Sequence, residues 1–339
     1  MAHQKALVIC PGRGVYNKTE LGYLNKFHGD KKELISSFDA IRTTEEQDAI
    51  SALDNAERFS VSKFTRGDNA SGLIYACSYA DFQSIDRKKY DIVGVTGNSM
   101  GWYTALACSG ALSAQDGFHV VNTMGRIMQG NAIGGQILYP FNDENWIESP
   151  AKKSELESLA SDIEGLYISI YLGGMIVFAG TDTALKTLED RLPAQGRFPM
   201  RLMNHSGFHS ELQSENSIQG KAALPETLFS QPNIPLIDGR GHLWHPQTVE
   251  LGDLWNYTFG KQVTETYDFT KAVANSVKEL APDIVIVLGP GTTLGGATAQ
   301  ALISCGWESL NTKKDFTDRQ ENAPYLAAMG LETQRKWVI

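Results

Sequence analysis

The sequence predicts an α/β fold in which helices cover a large, mostly parallel sheet and a small domain is inserted into the large one. Short apolar runs rich in β-branched residues alternate with helical periodicities along most of the chain, which is typical of a parallel sheet with helices on its faces. The middle of the chain instead predicts the order strand, helix, two strands, helix, strand, which is the ferredoxin-like pattern. A length of 339 residues suits such a two-part architecture.

The elements assigned to the large domain flank those of the small domain on both sides. Predicted strands of the large sheet are 6–10, 92–96, 234–237 and 284–288, and its clearest helices are 101–109, 114–128 and 270–280. The small domain is predicted to contain strands 136–139, 168–171, 175–179 and 198–202 and helices 154–160 and 183–191. We therefore predict a discontinuous large domain of residues 1–129 and 205–339, with an insert of residues 130–204.

The composition limits the classes of partner. The formal net charge is −9, whereas a nucleic-acid-binding surface needs a basic excess. No apolar run approaches the roughly 20 residues that span a bilayer, and the N-terminal stretch predicts a first strand rather than a signal peptide. The four cysteines are far apart and form no C-x-x-C pair, which favours buried, reduced thiols. We expect a cytoplasmic protein that binds neither nucleic acid nor membrane.

The strongest local signal is the segment G-N-S-M-G at 97–101, which lies between a predicted strand and a predicted helix. This is the G-x-S-x-G pattern of a nucleophile elbow in the setting that gives it meaning. The two glycines allow a tight turn that lifts the hydroxyl of Ser99 to a helix N-terminus, where free N–H groups favour negative charge. Ser99 is a candidate nucleophile, and the N–H of Met100 is a candidate oxyanion donor. The alternative is a simple turn with a helix cap.

A serine nucleophile needs a base, and histidine is the usual one. Of the seven histidines, His209 follows a turn of small residues in N-H-S-G-F-H-S, just after the predicted insert. That position can return it over the large sheet. His242 and His245 flank Trp244 with no acidic residue between them, which predicts a loop rather than a metal site. A lone histidine is more often structural than catalytic, so the assignment of His209 as the base depends on the motifs that accompany it.

Three further motifs accompany the elbow. They are P-G-R-G at 11–14, S-G-F-H-S at 206–210 and V-L-G-P-G-T-T-L at 287–294. Together with segment 97–129, they resemble in order and spacing the motifs of the malonyl-CoA:acyl-carrier-protein transacylase family. Those motifs are P-G-Q-G, G-H-S-L-G-E-Y with G-A-L-S, R-G and M-Q, the histidine motif, and E-V-G-P-G-x-x-L. The resemblance covers almost the whole chain and implies an α/β-hydrolase-like large domain with a ferredoxin-like insert.

The resemblance implies a ping-pong acyl transfer that needs no metal or redox cofactor. Ser99 attacks the thioester of an acyl-CoA while His209 accepts its proton. The backbone N–H groups of Arg13 and Met100 hold the oxyanion. The acyl group then passes to the phosphopantetheine thiol of an acyl carrier protein. The family orients its histidine through a main-chain carbonyl, which alignment places near Asp268. Family members are mostly monomers, and we expect the same here.

The acyl pocket departs from the family pattern. The arginine that binds the malonyl carboxylate corresponds to Met124 here. A buried carboxylate needs a paired cation, and removing one partner of a buried pair costs about 3–5 kcal/mol. Arg126 cannot replace that arginine, because residues two apart point to different faces of a helix. We expect a neutral acyl group, either acetyl or a longer chain. Alternatively, Met124 only packs the helix, and specificity is set elsewhere.

Other positions near the site also carry residue types that differ from those of the family. They are Arg13 for the oxyanion-loop glutamine, Asn98 for the histidine before the nucleophile, Trp102 for the glutamate after the elbow, Ser71 for a pocket glutamine, and Ser169 and Tyr171 for two asparagines of the insert. Phe208, before the base, leaves little room for an α-branched acyl group. Arg13 brings a cation to the pocket mouth, where it either binds a substrate carboxylate or CoA phosphate or simply faces solvent.

Two other functions remain open. One is hydrolysis, in which the same Ser–His dyad releases acyl groups from carrier proteins with water as acceptor. Loss of the carboxylate-binding arginine fits such an editing hydrolase as well as it fits a neutral-acyl transferase. A non-catalytic carrier-binding module is the third possibility, although retention of Ser99, His209 and the glycine-rich loops argues against it. The fate of an acyl-enzyme with and without carrier protein separates the first two functions.

Overall fold

Two sheets organise the computed structural model, which describes residues 3–339. The strands, in chain order, are β1 Gln4–Cys10, β2 Tyr90–Gly97, β3 Gly135–Pro140, β4 Leu166–Leu172, β5 Met175–Gly180, β6 Met200–Arg201, β7 Leu236–Ile237, β8 Leu243–Trp244, β9 Tyr267–Asp268, β10 Ile284–Val287 and β11 Leu326–Ala328. The large sheet has the order β11-β10-β1-β2-β7-β8, and the small sheet has the order β6-β3-β5-β4-β9.

Helices connect the strands and cover both sheets. In chain order they are α1 Tyr23–Phe27, α2 Lys32–Thr44, α3 Ile50–Asp54, α4 Val61–Phe64, α5 Gly67–Ser84, α6 Gly101–Cys108, α7 Ala114–Gly130, α8 Pro150–Asp162, α9 Asp182–Arg191, α10 Ser214–Ala223, α11 Leu251–Phe259, α12 Lys261–Thr264, α13 Phe269–Leu280, α14 Thr293–Ser304, α15 Lys313–Asn322 and α16 Glu332–Val338. No helix within residues 3–339 combines the length and the apolar character that crossing a membrane requires.

The large sheet is parallel from β11 through β7, and only the short β8 runs antiparallel to its neighbour. The interior strands are apolar and buried, as expected for a sheet covered on both faces. In the register of β1 and β2, Cys10 lies beside Gly97. The loop after β1 and the turn after β2 therefore leave the sheet side by side, at the edge where parallel sheets bind ligands.

The small sheet has the strand order of a ferredoxin-like fold. Its four strands from the insert are antiparallel, with β3 and β5 at the centre. A fifth strand, β9, comes from much later in the chain and pairs in parallel with β4, where Ile170 lies beside Tyr267. This pairing attaches the small sheet directly to the large part of the chain.

Each sheet has its own hydrophobic core. The larger core surrounds β1, β2 and β10, whereas a second cluster, including Ile137, Phe178 and Leu185, lies between the small sheet and its helices. The predicted α/β fold class with a ferredoxin-like unit is confirmed. The boundaries at residues 130 and 204 stay a prediction.

Several elements differ from the sequence-based expectation. The strand predicted over 198–202 is only Met200–Arg201, and β9 and α5 were not predicted. Helix α5 is buried on nearly all sides, so it lacks the one-sided apolar periodicity that marks a surface helix. All four cysteines are unpaired, and Cys10, Cys77 and Cys108 are buried.

Candidate active site

Ser99 lies at the tip of the turn between β2 and α6. Its φ is 55°, a left-handed conformation that costs a non-glycine residue about 1–2 kcal/mol. A Cβ on Gly97 would lie 2.3 Å from the backbone carbon of Gly101, and one on Gly101 would lie 2.2 Å from the Cys10 carbonyl oxygen. Both glycines of the motif are therefore required by close backbone approach, and the predicted elbow is present.

His209 lies against the serine. The Ser99 Oγ and the His209 Nε2 are 2.7 Å apart, and the His209 Nδ1 is 2.6 Å from the carbonyl oxygen of Gln262. A carbonyl only accepts hydrogen bonds, so Nδ1 must carry the proton. The neutral ring then presents its bare Nε2 to the Ser99 hydroxyl, which is the tautomer that a general base needs.

The protonation state suits this role. Burial lowers the pKa of His209 to about 4, and the hydrogen bond to the Gln262 carbonyl opposes this in part. The imidazole is therefore neutral at physiological pH. It can accept the proton of Ser99 without first losing one of its own.

Residues around the dyad hold its geometry. The side-chain amide of Gln262 donates to the Ser99 carbonyl at 3.1 Å, and Tyr103 donates to the same side chain at 3.1 Å. Tyr267 donates to the Gly97 carbonyl at 2.6 Å, and its ring centroid lies 5.3 Å from that of His209. The elbow and the base are thus supported by groups from α6, α12 and β9.

Two backbone N–H groups in the segments around Ser99 are candidates for an oxyanion hole. The N–H of Met100 precedes α6, and the N–H of Arg13 belongs to the loop after β1, and neither finds an acceptor among residues 3–339. The loop packs tightly on the elbow, since a Cβ on Gly12 would lie 2.6 Å from the Asn98 carbonyl oxygen. Paired free donors next to a serine are the arrangement that stabilises an oxyanion.

A narrow cavity opens from the dyad. Its walls are mainly apolar and come from α6, α7, α12 and the loop before His209: Met100, Tyr103, Val121, Met124, Gly125, Met128, Phe208 and Val263, with Arg13, Ser71 and Gln262 as the other contributors. The free volume is about 30 Å³, room for about two water molecules at the roughly 10–15 Å³ that each requires. Methionine side chains can change rotamer to enlarge such a space.

Arg13 is the one charged residue of these walls. Its guanidinium donates to the carbonyls of Thr65 at 2.8 Å and Asn204 at 2.9 Å and lies 5.3 Å from the Phe208 ring centroid. Burial lowers its pKa to about 10, with Asp68 acting in the opposite direction. Arg13 is therefore still a cation at neutral pH, and its side chain ties the loop after β1 to two other loops rather than facing solvent.

The structure corrects three sequence-based assignments. The carbonyl that orients His209 belongs to Gln262, not to a residue near Asp268, whose side chain instead caps α13. Trp102 is fully buried and donates to Thr258 at 3.0 Å, so it belongs to the core between α6 and α11. Asn98 precedes the nucleophile but does not line the cavity.

Three other residues that the sequence assigned to substrate binding lie together at the cavity. Ser71, Met124 and Phe208 all line it beside Ser99 and His209. Sequence reasoning missed Val121 and Met128, although they stand three residues before and four after Met124, on the same face of a helix. It also missed Gln262, which orients His209 through a backbone oxygen that no residue type reveals. Within residues 3–339, no cluster of His, Cys, Asp or Glu is arranged to hold a metal ion.

Solved structures that superpose on this chain include proteins named as malonyl transacylases. The chain superposes on acyl-carrier-protein S-malonyltransferase from Burkholderia pseudomallei with a TM-score of 0.78 and 16% identity, covering 98% of this chain and 99% of that one. It superposes on the malonyl-CoA:acyl carrier protein transacylase of Xanthomonas oryzae with a TM-score of 0.77 and 17% identity, covering 99% and 98%. This chain has the malonyl-CoA:acyl-carrier-protein transacylase fold. The resemblance drawn from the four motifs is confirmed at that level.

Sequence relatives are polyketide synthases, which are much longer. The type I synthase Pks15/1 for phenolphthiocerol synthesis of Mycobacterium marinum is 24% identical over 96% of this chain, which covers 15% of that protein. The non-reducing polyketide synthase subA of Metarhizium robertsii is 24% identical over 78% of this chain and 12% of its own length. The chain thus spans less than a sixth of these relatives. No family model matches the sequence.

Proposed function

We propose that this protein transfers acyl groups from acyl-CoA to the phosphopantetheine thiol of an acyl carrier protein through an acyl-Ser99 intermediate. The observation that carries the proposal is the linked geometry of Ser99, His209 and the Gln262 carbonyl, with hydrogen-bond distances of 2.7 and 2.6 Å. The fold supports it, because solved structures with this fold are named as malonyl transacylases. The sequence relatives support it too, because they are named as polyketide synthases and polyketide assembly, like fatty-acid assembly, uses such transfers.

The first half-reaction follows from the geometry. The Ser99 Oγ attacks the thioester carbonyl carbon while the His209 Nε2 takes the hydroxyl proton. The carbonyl oxygen becomes an oxyanion, to which the N–H groups of Arg13 and Met100 donate. As the C–S bond breaks, the imidazolium returns the proton to the CoA sulfur, leaving an ester on Ser99 and a neutral His209.

The second half-reaction repeats these roles with another thiol. His209 takes the proton of the carrier-bound thiol, the thiolate attacks the ester carbonyl, and the proton returns to the Ser99 Oγ as the ester breaks. No step requires a metal or redox cofactor. The partners of the proposed enzyme are therefore an acyl-CoA donor and a carrier protein.

The acyl group is proposed to be neutral. Met124 lies in the cavity wall with 1% of its surface exposed, and Val121, Met128 and Val263 continue the same apolar lining. A carboxylate placed among them would lose its hydration without gaining a partner. Arg13, the one cation of the lining, is tied through a single guanidinium nitrogen to the Thr65 and Asn204 carbonyls. Its Nε has no partner among residues 3–339, so Arg13 is the group whose carboxylate binding the experiment below tests. A small alkyl group suits the free volume, and longer chains require the methionines to move.

Intact-protein mass spectrometry tests this function. The wild type and Ser99→Ala are incubated with acetyl-, hexanoyl-, malonyl- and methylmalonyl-CoA, and the acylated protein is then chased with holo-acyl carrier protein or with buffer alone. We expect an acetyl or hexanoyl adduct that is absent from Ser99→Ala and is transferred to the carrier faster than it hydrolyses. A malonyl adduct would instead assign carboxylate binding to Arg13.

The chase also separates the alternative functions. An adduct that disappears in buffer as fast as with the carrier would identify an editing hydrolase, which uses the same dyad with water as acceptor. No adduct from any thioester, together with binding of carrier protein, would identify a non-catalytic module. Either result contradicts the proposed transfer.

A further inference from the structure

Three polar side chains link the small sheet to the loop that carries His209. Ser169 on β4 donates from its Oγ to the Phe208 carbonyl at 2.7 Å. The Nε2 of Gln136 on β3 lies 2.6 Å from that same Oγ, and the Oε1 of Gln136 lies 2.7 Å from the Nδ1 of His205. Ser169 and Gln136 are fully buried. The chain of hydrogen bonds thus ends on the peptide that joins Phe208 to His209.

Only one arrangement of protons satisfies this chain. The Phe208 carbonyl can only accept, so the Ser169 hydroxyl donates to it and accepts from the amide N–H of Gln136. The oxygen of Gln136 then faces His205, whose Nδ1 must carry the proton. Each group thus donates toward Phe208, and aligned hydrogen bonds of this kind reinforce one another in a buried site.

A β-bulge places Ser169 in this chain. Ile168 pairs with Phe178 and Ile170 pairs with Val177, so Ser169 is the extra residue between two successive pairs. Bulges of this kind turn a side chain away from its regular direction and occur next to active sites. Strand β5 separates β3 from β4, and Ala179 stands beside Gln136 on it. The small alanine leaves room for the long amide side chain to reach Ser169.

The backbone at His209 needs such support. Its φ is 54°, a left-handed conformation that a non-glycine residue keeps only when its surroundings hold it. The Phe208 carbonyl and the His209 N–H belong to one planar peptide. Fixing the oxygen of this peptide therefore fixes the backbone from which the imidazole extends toward Ser99.

We propose that Ser169, supported by Gln136 and His205, positions the catalytic base by holding the Phe208 carbonyl. These are positioning residues, since none of them lies in the cavity lining or contacts Ser99. The inference rests on the proposed function only in that His209 activates Ser99. It also gives the small sheet a catalytic task, because two of its strands set the geometry of a base that lies outside them.

The experiment measures how fast a fluorophosphonate labels Ser99. In this reaction the Ser99 oxygen bonds to phosphorus, fluoride leaves, and His209 takes the proton, so the rate reports activation of the serine without an acyl-CoA. Ser169→Ala is expected to label about 10- to 100-fold more slowly, since small misplacements of a catalytic group have effects of that size. Ser169→Thr keeps the hydroxyl and is expected to restore most of the rate.

Tyr139→Phe is the matched control. Tyr139 on β3 is also buried, and its hydroxyl also donates to the backbone carbonyl of another segment, that of Pro193 at 2.7 Å, but it lies outside the chain of hydrogen bonds described above. Tyr139→Phe is expected to lose thermal stability, as Ser169→Ala does, and to label at the wild-type rate. Should Ser169→Ala fail to fold, Gln136→Met removes the second link while leaving Ser169 in place, and a smaller slowing is expected.

Two results would overturn the positioning role. One is a folded Ser169→Ala that labels within about twofold of wild type. The other is slowing of Ser169→Ala and Tyr139→Phe alike, in proportion to their loss of stability. Failure of the proposed function looks different, because the wild type itself would then label no faster than Ser99→Ala.

Discussion

The two halves of the cavity differ in how they are built, and we name them after their proposed roles: the reacting half around Ser99 and His209, and the acyl half around Met124. The reacting half depends on backbone groups: the Gln262 carbonyl, the N–H groups of Arg13 and Met100, and the glycine-lined turn around Ser99. The acyl half depends on side chains, and Met124 and its apolar neighbours form its walls. The motifs of the reacting half resemble those of the transacylases, whereas the acyl half departs from them.

This difference separates chemistry from specificity. A backbone donor or acceptor is indifferent to its own side chain, so Arg13 can replace a glutamine without disturbing the proposed oxyanion hole. A wall made of side chains changes its ligand with a single substitution. We therefore expect changes in the reacting half to remove activity with every substrate. Changes in the acyl half should redirect activity among substrates.

The largest effect is expected from Ser99→Ala. Removing the nucleophile of a linked catalytic unit lowers turnover about 10⁴- to 10⁶-fold in comparable enzymes, and we expect a loss in that range for every acyl-CoA. The measurement is acyl transfer to carrier protein under saturating donor, with thermal unfolding as the check on folding. If Ser99→Ala kept activity toward one acyl-CoA but lost it toward another, chemistry and specificity would not be separated as proposed.

A pair of glycine substitutions tests the elbow next. Gly101→Ala places a Cβ 2.2 Å from the Cys10 carbonyl oxygen, and we expect destabilisation of about 1–3 kcal/mol and roughly 10²-fold slower acylation. Gly296 in α14 has no atom within 4 Å of its Cβ position, so Gly296→Ala should stabilise the fold by about 0.5–1 kcal/mol. Chemical denaturation and the acylation rate measure both, and equal behaviour of the two variants would contradict the account.

Sequence reasoning identified the reacting half better than the acyl half. The elbow at Ser99 and the motif at His209 are visible because each needs particular residues in a particular order. The Gln262 carbonyl is invisible for the opposite reason, since every residue has one and only the fold selects it. Trp102 was assigned to the substrate from its place in a motif, but an indole in the first turn of α6 packs against Thr258.

Long-range pairing explains the other failures. Strand β9 joins the small sheet from a segment close to α13, and two residues have too little periodicity to predict a strand. Helix α5 was missed because its burial is nearly uniform. Val121 and Met128 could have been predicted. Once Met124 is assigned to the cavity, helical spacing places these two residues on the same face of the helix.

The pH dependence of acylation tests the buried base of the reacting half. With an ordinary histidine pKa near 6.5, acylation at pH 5 would be about 30-fold slower than its plateau. Burial lowers the pKa of His209 to about 4, so the base stays neutral at pH 5 and is lost only as the pH falls through about 4. We expect less than a twofold loss at pH 5, measured as the single-turnover acylation rate. An acid limb near 6.5 would contradict the buried, neutral base.

A change in the acyl half is expected to alter substrate preference. Met124→Arg places a cation in the apolar wall and is expected to raise the ratio of malonyl to acetyl adduct by at least about tenfold, since one buried ion pair is worth several kcal/mol against none. Met124→Leu, which keeps the volume and the apolar character, should leave the ratio near that of the wild type. Intact mass after short incubations gives both ratios. An unchanged ratio in Met124→Arg would mean that residues outside α7 determine acyl specificity.

The most direct test is a competition for the wild-type protein. Equimolar acetyl-CoA and malonyl-CoA are added together, and the mass of the Ser99 adduct is measured before carrier protein is supplied. The account predicts that the acetyl adduct predominates and that carrier protein removes it. A predominant malonyl adduct would contradict the neutral acyl group. It would make Arg13 the carboxylate ligand, in place of the family arginine whose position Met124 occupies.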